Sequence, residues 1–136
     1  MKKILLSIAF CTVAFVSYSY AQTAPAAQTS KSPLDSRVKF KSETIDFGTA
    51  KQNKPVTVQF VFTNTGTTPL VIENARPSCG CTTPNYTQEP VLPGKEGKIT
   101  ATYNAAVVGQ VSKTVSVKFK GIDQELDLHL TGKVEP

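Results

Sequence analysis

The sequence predicts an all-β domain with the architecture of an immunoglobulin-like β-sandwich of about seven antiparallel strands. Apolar residues recur at every second position along most of the chain, which is the period of a strand that buries one face. Turn-forming residues, chiefly glycine and proline, separate these alternating runs. No segment of helical length carries an apolar stripe with the helical period of about 3.6 residues.

Each alternating run justifies one predicted strand. The first inward apolar residues of the runs are Val38, Ile45, Val56, Leu70, Ile99, Val111 and Leu126. In the third run, Phe60 and Phe62 alternate with Gln59 and Thr63. One buried and one solvated face per strand is typical of antiparallel sheets packed face to face. Residues 74–93 contain no clear strand, and connections of that length are often functional.

One charged residue falls on the apolar phase of a predicted strand. Lys113 shares its phase with Val111, Val115 and Val117. Such a lysine marks a strand end, a bulge or a sheet edge that is guarded against pairing. His129 lies on the polar phase of the last run, so we expect a solvated side chain there.

Residues 1–21 are expected to form a signal peptide. Lys2 and Lys3 precede an apolar run over residues 4–16, which is shorter than a membrane-spanning helix. Small residues then precede a cleavage site after Ala21, which leaves Gln22 as the first residue of the mature chain. The chain is therefore expected to be exported to the periplasm or the extracellular space.

Residues 22–36 are expected to form a flexible tether before the immunoglobulin-like domain of residues 37–136. This stretch consists mainly of alanine, serine, threonine, glutamine and proline, with Leu34 as its one large apolar residue. Such a composition buries too little apolar surface to offset the entropy lost on ordering.

Charge and composition exclude several classes of function. Removal of Lys2 and Lys3 lowers the formal net charge from +5 to +3, and no basic cluster indicates nucleic-acid binding. After signal removal, no further segment is long and apolar enough to span a membrane. The chain has a single histidine, which argues against multi-histidine metal sites and histidine-based catalysis.

Several short motifs together resemble a known family. They are Asn64-Thr65-Gly66, Pro69-Leu70, Ser78-Cys79-Gly80-Cys81-Thr82, Pro93-Gly94 and Leu130-Thr131-Gly132. Over residues 45–134 the chain resembles the bacterial domain of unknown function family 1573, whose hallmark is the Ser-Cys-Gly-Cys-Thr segment. It is also similar to major-sperm-protein and ciliary ASH-type domains. The resemblance implies an exported immunoglobulin-like module and no established activity.

The Cys79-Gly80-Cys81-Thr82 segment is the main candidate for binding or redox chemistry. Two close cysteines in an exported protein tend to oxidise, and Gly80 eases the backbone between them. Four alternatives are open: a structural thiol pair or local disulfide, a redox-active pair, a Cu(I) site and intermolecular disulfides. In the redox alternative, Arg76 is a nearby cation that favours the thiolate. A closed zinc site needs about four ligands, and this pair supplies two.

The expected function is that of a non-enzymatic binding or structural module of the bacterial cell envelope. No nucleophile motif or telling pair of carboxylates indicates an enzyme. The expected partner is a protein or an envelope component, held by loops or by a sheet edge. The alternative is a thiol-redox or copper-handling protein that uses Cys79 and Cys81. No cofactor is predicted, apart from Cu(I) at the two cysteines in that alternative.

Overall fold

The structure, a computed structural model, describes residues 33–136 and consists almost entirely of β-strands. A short helix, α1, precedes the first strand. The elements in chain order are α1 (Pro33–Arg37), β1 (Val38–Phe40), β2 (Thr44–Lys51), β3 (Val56–Asn64), β4 (Ile72–Pro77), β5 (Thr82–Tyr86), β6 (Glu96–Tyr103), β7 (Gly109–Phe119) and β8 (Glu125–Glu135). No helix within this part of the chain is long and apolar enough to cross a membrane.

The strands form two four-stranded sheets packed as a sandwich, which confirms the predicted fold class. The first sheet has the order β1-β3-β6-β5, and the second has the order β2-β8-β7-β4. Residues 41–43 carry the chain from the edge of one sheet to the edge of the other. One consequence departs from the prediction: β2 pairs with β8 in parallel, whereas the other pairings are antiparallel.

The core forms between the two sheets from the residues that the period of two selects. Phe60 and Phe62 of β3 are fully buried, while Gln59, on the opposite face of the same strand, is exposed. The Phe62 and Phe119 rings form a T-shaped pair at a centroid distance of 5.3 Å, which joins the two sheets. The most deeply buried side chains are Phe60, Phe62, Phe119, Leu34, Leu70, Ile99, Leu128, Leu130, Val115, Val117, Val134 and Asn64.

A strand lies within the connection that was predicted to contain none. Residues 74–93 include the end of β4 and all of β5. The prediction missed β5 because its sequence, Thr-Thr-Pro-Asn-Tyr, is polar and contains a proline. Both features are tolerated because β5 is an edge strand, paired on one side only with β6.

The folded part begins before the boundary predicted at Arg37. Residues 33–36 belong to α1. The Leu34 side chain is part of the core and is only 1% exposed. Burial of this leucine offsets part of the ordering entropy of the short segment. Residues 33–36 are therefore not part of a tether. The predicted signal peptide, its cleavage site and residues 22–32 of the predicted tether lie outside the described residues.

Asn64 explains the Asn-Thr-Gly motif at the end of β3. Its side chain is fully buried, and its Nδ2 donates to the carbonyls of Thr68 and Val91, both at 2.8 Å. Its Oδ1 accepts from the amide of Gly66 at 2.9 Å. One amide side chain therefore holds two connections of the sandwich together. The motif is visible in the sequence, but this role of Asn64 depends on contacts with residues up to 27 positions away.

Candidate functional site

The Cys-Gly-Cys segment forms the turn between β4 and β5, the neighbouring edge strands of the two sheets. The amide of Ser78 donates to the carbonyl of Thr114 at 2.8 Å, which continues the pairing of β4 with β7 by one residue. The chain then turns, and the amide of Thr82 donates to the carbonyl of Cys79 at 3.3 Å. The carbonyl of Cys81 accepts from the amide of Asn104 at 3.0 Å, which fixes the turn to the end of β6.

Cys79 and Cys81 form a disulfide within this turn, with their Cα atoms 5.3 Å apart. Both cysteines are half-buried, and Cys81 packs against the core. Thr82 is only 3% exposed beneath them, and its Oγ1 lies 4.0 Å from the Sγ of Cys79. Gly80 is exposed, with open space where a Cβ would stand. The disulfide is thus anchored from below and accessible from outside.

The guanidinium of Arg76 interacts with a carboxylate on a neighbouring strand and not with the disulfide. Strand alternation places Arg76 and Ser78 on the outer face of the sheet, while Pro77 lies on the inner phase. The guanidinium of Arg76 forms an ion pair with Glu125 on β8. The thiolate-stabilising role expected for Arg76 therefore has no support in this arrangement.

The described residues contain no cluster of three or more histidine, cysteine, aspartate or glutamate side chains that could hold a metal ion. His129 is exposed, as expected, and its Nδ1 lies 3.2 Å from the hydroxyl of Thr114. A copper site at this turn would use Cys79 and Cys81 as its thiolate ligands, after reduction of the disulfide.

Two further connections lie at the same end of the sandwich as the disulfide turn. They are the β2–β3 turn of residues 52–55 and the β6–β7 loop of residues 104–108. The amide of Asn53 donates to the carbonyl of Ala105 at 2.9 Å, and the side chain of Gln52 donates to the carbonyl of Ala106 at 3.0 Å. We call these two connections together with residues 78–81 the loop end.

The loop end exposes apolar side chains beside positive charge. Val107 is 71% exposed and Val108 is 44% exposed, although both are large aliphatic residues. Lys51 at the end of β2 and Lys54 within the β2–β3 turn are exposed, and neither takes part in an ion pair within residues 33–136. Adjacent apolar and cationic groups on one surface are a common feature of interaction sites.

The opposite end of the sandwich contains a cleft of about 330 Å³. Arg37, Gly121, Ile122, Asp123 and Gln124 line it. The guanidinium of Arg37 donates to the hydroxyl of Thr68 at 2.8 Å, so part of its hydrogen-bonding capacity is already used. This cleft contains neither the Cys-Gly-Cys segment nor the exposed valines, and we therefore centre the candidate site on the loop end.

Comparison with known proteins supports the fold. The family model described as "Protein of unknown function (DUF1573)" matches residues 38–134. A search of curated proteins finds no match to the chain.

Solved structures with the same architecture come from unrelated settings. A protein of unknown function from Porphyromonas gingivalis W83 has a TM-score of 0.61 and 11% identity over 71% of this chain. This chain spans 46% of that protein's length. The ASH/PapD-like domain 7 of human CEP192 has a TM-score of 0.60 and 14% identity, over 83% of this chain and 95% of that one. These identities show a shared fold and do not transfer an activity.

A third neighbour illustrates how widely the architecture is used. The secreted serine protease VesC from Vibrio cholerae has a TM-score of 0.56 and 12% identity. The match covers 73% of this chain and 23% of the protease.

Proposed function

The chain belongs to the family of proteins of unknown function DUF1573, and we propose that it is an exported, non-enzymatic immunoglobulin-like binding module of the bacterial cell envelope. In this proposal the loop end contacts a protein or another envelope component. The observation that carries the proposal is the exposure of Val107 and Val108 at the end of the sandwich that also holds the Cys79–Cys81 disulfide. Burial of such aliphatic side chains by a partner is favourable, because it removes apolar surface from water.

The edge strands β1, β2, β4 and β5 are poorly suited to pairing with an added strand, which favours contact through loops. Pro77 ends β4 and Pro84 lies within β5, so these two edge strands lack amide donors that an added strand would use. On the other side, β1 has three residues, and β2 contains an irregularity between Asp46 and Thr49. Short, irregular or proline-containing edges disfavour pairing with a further strand.

Export is tested by following the full chain in cells. We expect the protein in the periplasmic or extracellular fraction, with Gln22 at its N-terminus after removal of residues 1–21. The measurement is subcellular fractionation of a C-terminally tagged chain, followed by intact mass and N-terminal sequencing. Recovery of the uncleaved chain in the cytoplasm would contradict this part of the proposal.

Binding through the loop end is tested by site-specific photo-cross-linking in cells. A photoreactive residue at Val107 is expected to trap an envelope component, whereas the same residue at Asp123 serves as a control at the opposite end. Both positions are on the protein surface away from the core. Equal cross-linking at the two positions, or none at Val107, would contradict the proposed site.

The accessible disulfide supports one second candidate function, thiol–disulfide exchange or copper handling. In exchange, a partner dithiol would reduce the Cys79–Cys81 bond and would itself become the disulfide. Alkylation and intact mass after incubation with a dithiol, together with copper analysis of the reduced chain, test this candidate. Reversible cycling or stoichiometric Cu(I) would favour it, whereas an inert pair would favour the binding module.

A further inference from the structure

Strand β7 extends beyond the strand that covers it. The last pair between β4 and β7 joins Pro77 to Val115, and Ser78 adds one more contact, to Thr114. The chain then crosses through the disulfide turn to β5 in the other sheet. The beginning of β7, from Gly109 to Lys113, pairs with β8 on one side, and no strand of residues 33–136 pairs with it on the other.

The backbone groups on this uncovered side follow from the pairing of Thr114. Its carbonyl accepts from the Ser78 amide, and its amide donates to the Ser78 hydroxyl at 3.1 Å, so both groups point away from β8. In an antiparallel pair, every second residue directs its amide and carbonyl to the same side. Ser112 and Gln110 therefore direct theirs to the uncovered side, and their side chains are exposed. We call residues 110–112 the open edge of β7.

Lys113 gives the open edge a chemical preference. It lies on the inward phase with Val111 and Val115, is half-buried, and belongs to none of the ion pairs of the described residues. A purely apolar strand added here would cover an unpaired ammonium group, which is unfavourable. A strand with a carboxylate opposite Val111 would place that group diagonal to Lys113, within reach of its long side chain.

We propose that the open edge of β7 binds an extended peptide segment as an added strand, and that this segment carries an aspartate or glutamate next to Lys113. Backbone hydrogen bonds to Gln110 and Ser112 supply the attachment, and Lys113 discriminates by charge. Val107 and Val108 lie at one end of the open edge and the disulfide turn lies at the other, so both border the same peptide. This inference rests on the proposed binding function and names the chemistry of its partner.

The test uses the full purified chain, labelled with ¹⁵N, and two capped pentapeptides. One has the sequence Val-Thr-Asp-Thr-Val, and its matched control has lysine in place of aspartate. At millimolar concentration, the acidic peptide is expected to shift the amide signals of Gln110 and Ser112 and to slow their hydrogen exchange. Binding of the lysine peptide is expected to be weaker by at least about tenfold, because of like-charge repulsion with Lys113.

Three variants separate the contribution of the backbone hydrogen bonds from that of the Lys113 charge. Ser112→Pro removes an edge amide without touching the pairing with β8 and is expected to abolish the response. Lys113→Glu is expected to reverse the preference, so that the variant protein binds the lysine peptide more tightly than the acidic one. Lys120→Glu makes the same charge change at an exposed position just after the opposite end of β7 and should leave the preference unchanged.

Three results would overturn the inference. They are slow exchange of the Gln110 and Ser112 amides in the free protein, no response of these amides to either peptide, and an unchanged preference in folded Lys113→Glu. These outcomes are independent of where the protein resides in the cell. Export and cross-linking at Val107 could therefore be observed while the open edge binds neither peptide. Equally, the open edge could bind the acidic peptide while export or cross-linking at Val107 is not observed.

Discussion

Ser78 and Thr114 are joined by two hydrogen bonds at the point where β4 separates from β7. The Ser78 amide donates to the Thr114 carbonyl at 2.8 Å, and the Thr114 amide donates to the Ser78 hydroxyl at 3.1 Å. The hydroxyl takes the place of a backbone carbonyl, because the chain is already turning towards Cys79. This pair therefore marks where the disulfide turn begins and where the open edge of β7 ends on its C-terminal side.

Ser78→Ala tests this junction. The change leaves the amide of Thr114 without its acceptor and is expected to lower the free energy of unfolding by about 1 kcal/mol. Faster hydrogen exchange at the Thr114 amide should accompany the loss. Urea denaturation and exchange measured by NMR check both effects. Ser78→Thr retains the hydroxyl and should restore the slow exchange, and a failure to do so would contradict the role assigned to the side-chain oxygen.

The double substitution of Cys79→Ser and Cys81→Ser is expected to change stability little. The disulfide closes a very short loop, so it removes little entropy from the unfolded chain. Both side chains are only partly buried, and the new hydroxyls can reach water. We therefore expect a loss of about 1 kcal/mol or less in thermal or urea unfolding. A loss of several kcal/mol would assign the pair to the core and weaken the case for a functional segment.

Asn64→Ala is expected to be among the most damaging single changes. It removes three hydrogen bonds and leaves the carbonyls of Thr68 and Val91 and the amide of Gly66 without these partners. We expect a loss of roughly 3 kcal/mol or more, measured by urea denaturation. Asn64→Asp has nearly the same shape but cannot donate to two carbonyls when ionised. If Asn64→Asp were as stable as the parent, the donor role of Nδ2 would be wrong.

Gly97→Ala tests a close contact in the core. A Cβ at this position would overlap the ring of Phe62 and come within 2.9 Å of Cγ2 of Val91. The expected destabilisation is about 1–3 kcal/mol, and Phe62→Leu in the same chain should recover part of it by making room. Gly80→Ala is the matched control, because nothing lies within 4 Å of the new methyl group there. Thermal unfolding of the four chains, parent included, measures the difference.

Leu34→Ala tests whether the segment before β1 is part of the folded domain. The buried leucine should contribute about 2–5 kcal/mol to the free energy of unfolding. Lys39→Ala, at an exposed position of β1, should change it by no more than about 0.5 kcal/mol. Equal midpoints of urea denaturation for Leu34→Ala and the parent would show that the segment does not support the core.

The strand faces could be predicted because alternation is a local property. Phe60 and Phe62 point inward and Gln59 outward, as the period of two indicates, and the same rule correctly selects Val115 and Val117. The rule does not reach Arg76, because residues 74–93 show no apolar alternation, and its outward direction follows from the pairing of β4 with β7. The family motifs located Cys79 and Cys81 on the connection where the structure has them.

Pairing partners, by contrast, depend on residues far apart in the chain, and only the tertiary structure decided them. Leu34 is buried because distant strands form a core beneath it, while its own neighbours in the sequence resemble a tether. β5 is a strand because β6 supplies its hydrogen bonds, although its sequence lacks apolar alternation and contains Pro84 and Asn85, which are depleted in strands. Likewise, Lys113 interrupts an apolar phase in the sequence, but its place beside an open edge follows from where Ser78 leaves β7. Local side-chain periodicity determines which face is buried, whereas non-local hydrogen bonding determines which edge remains free.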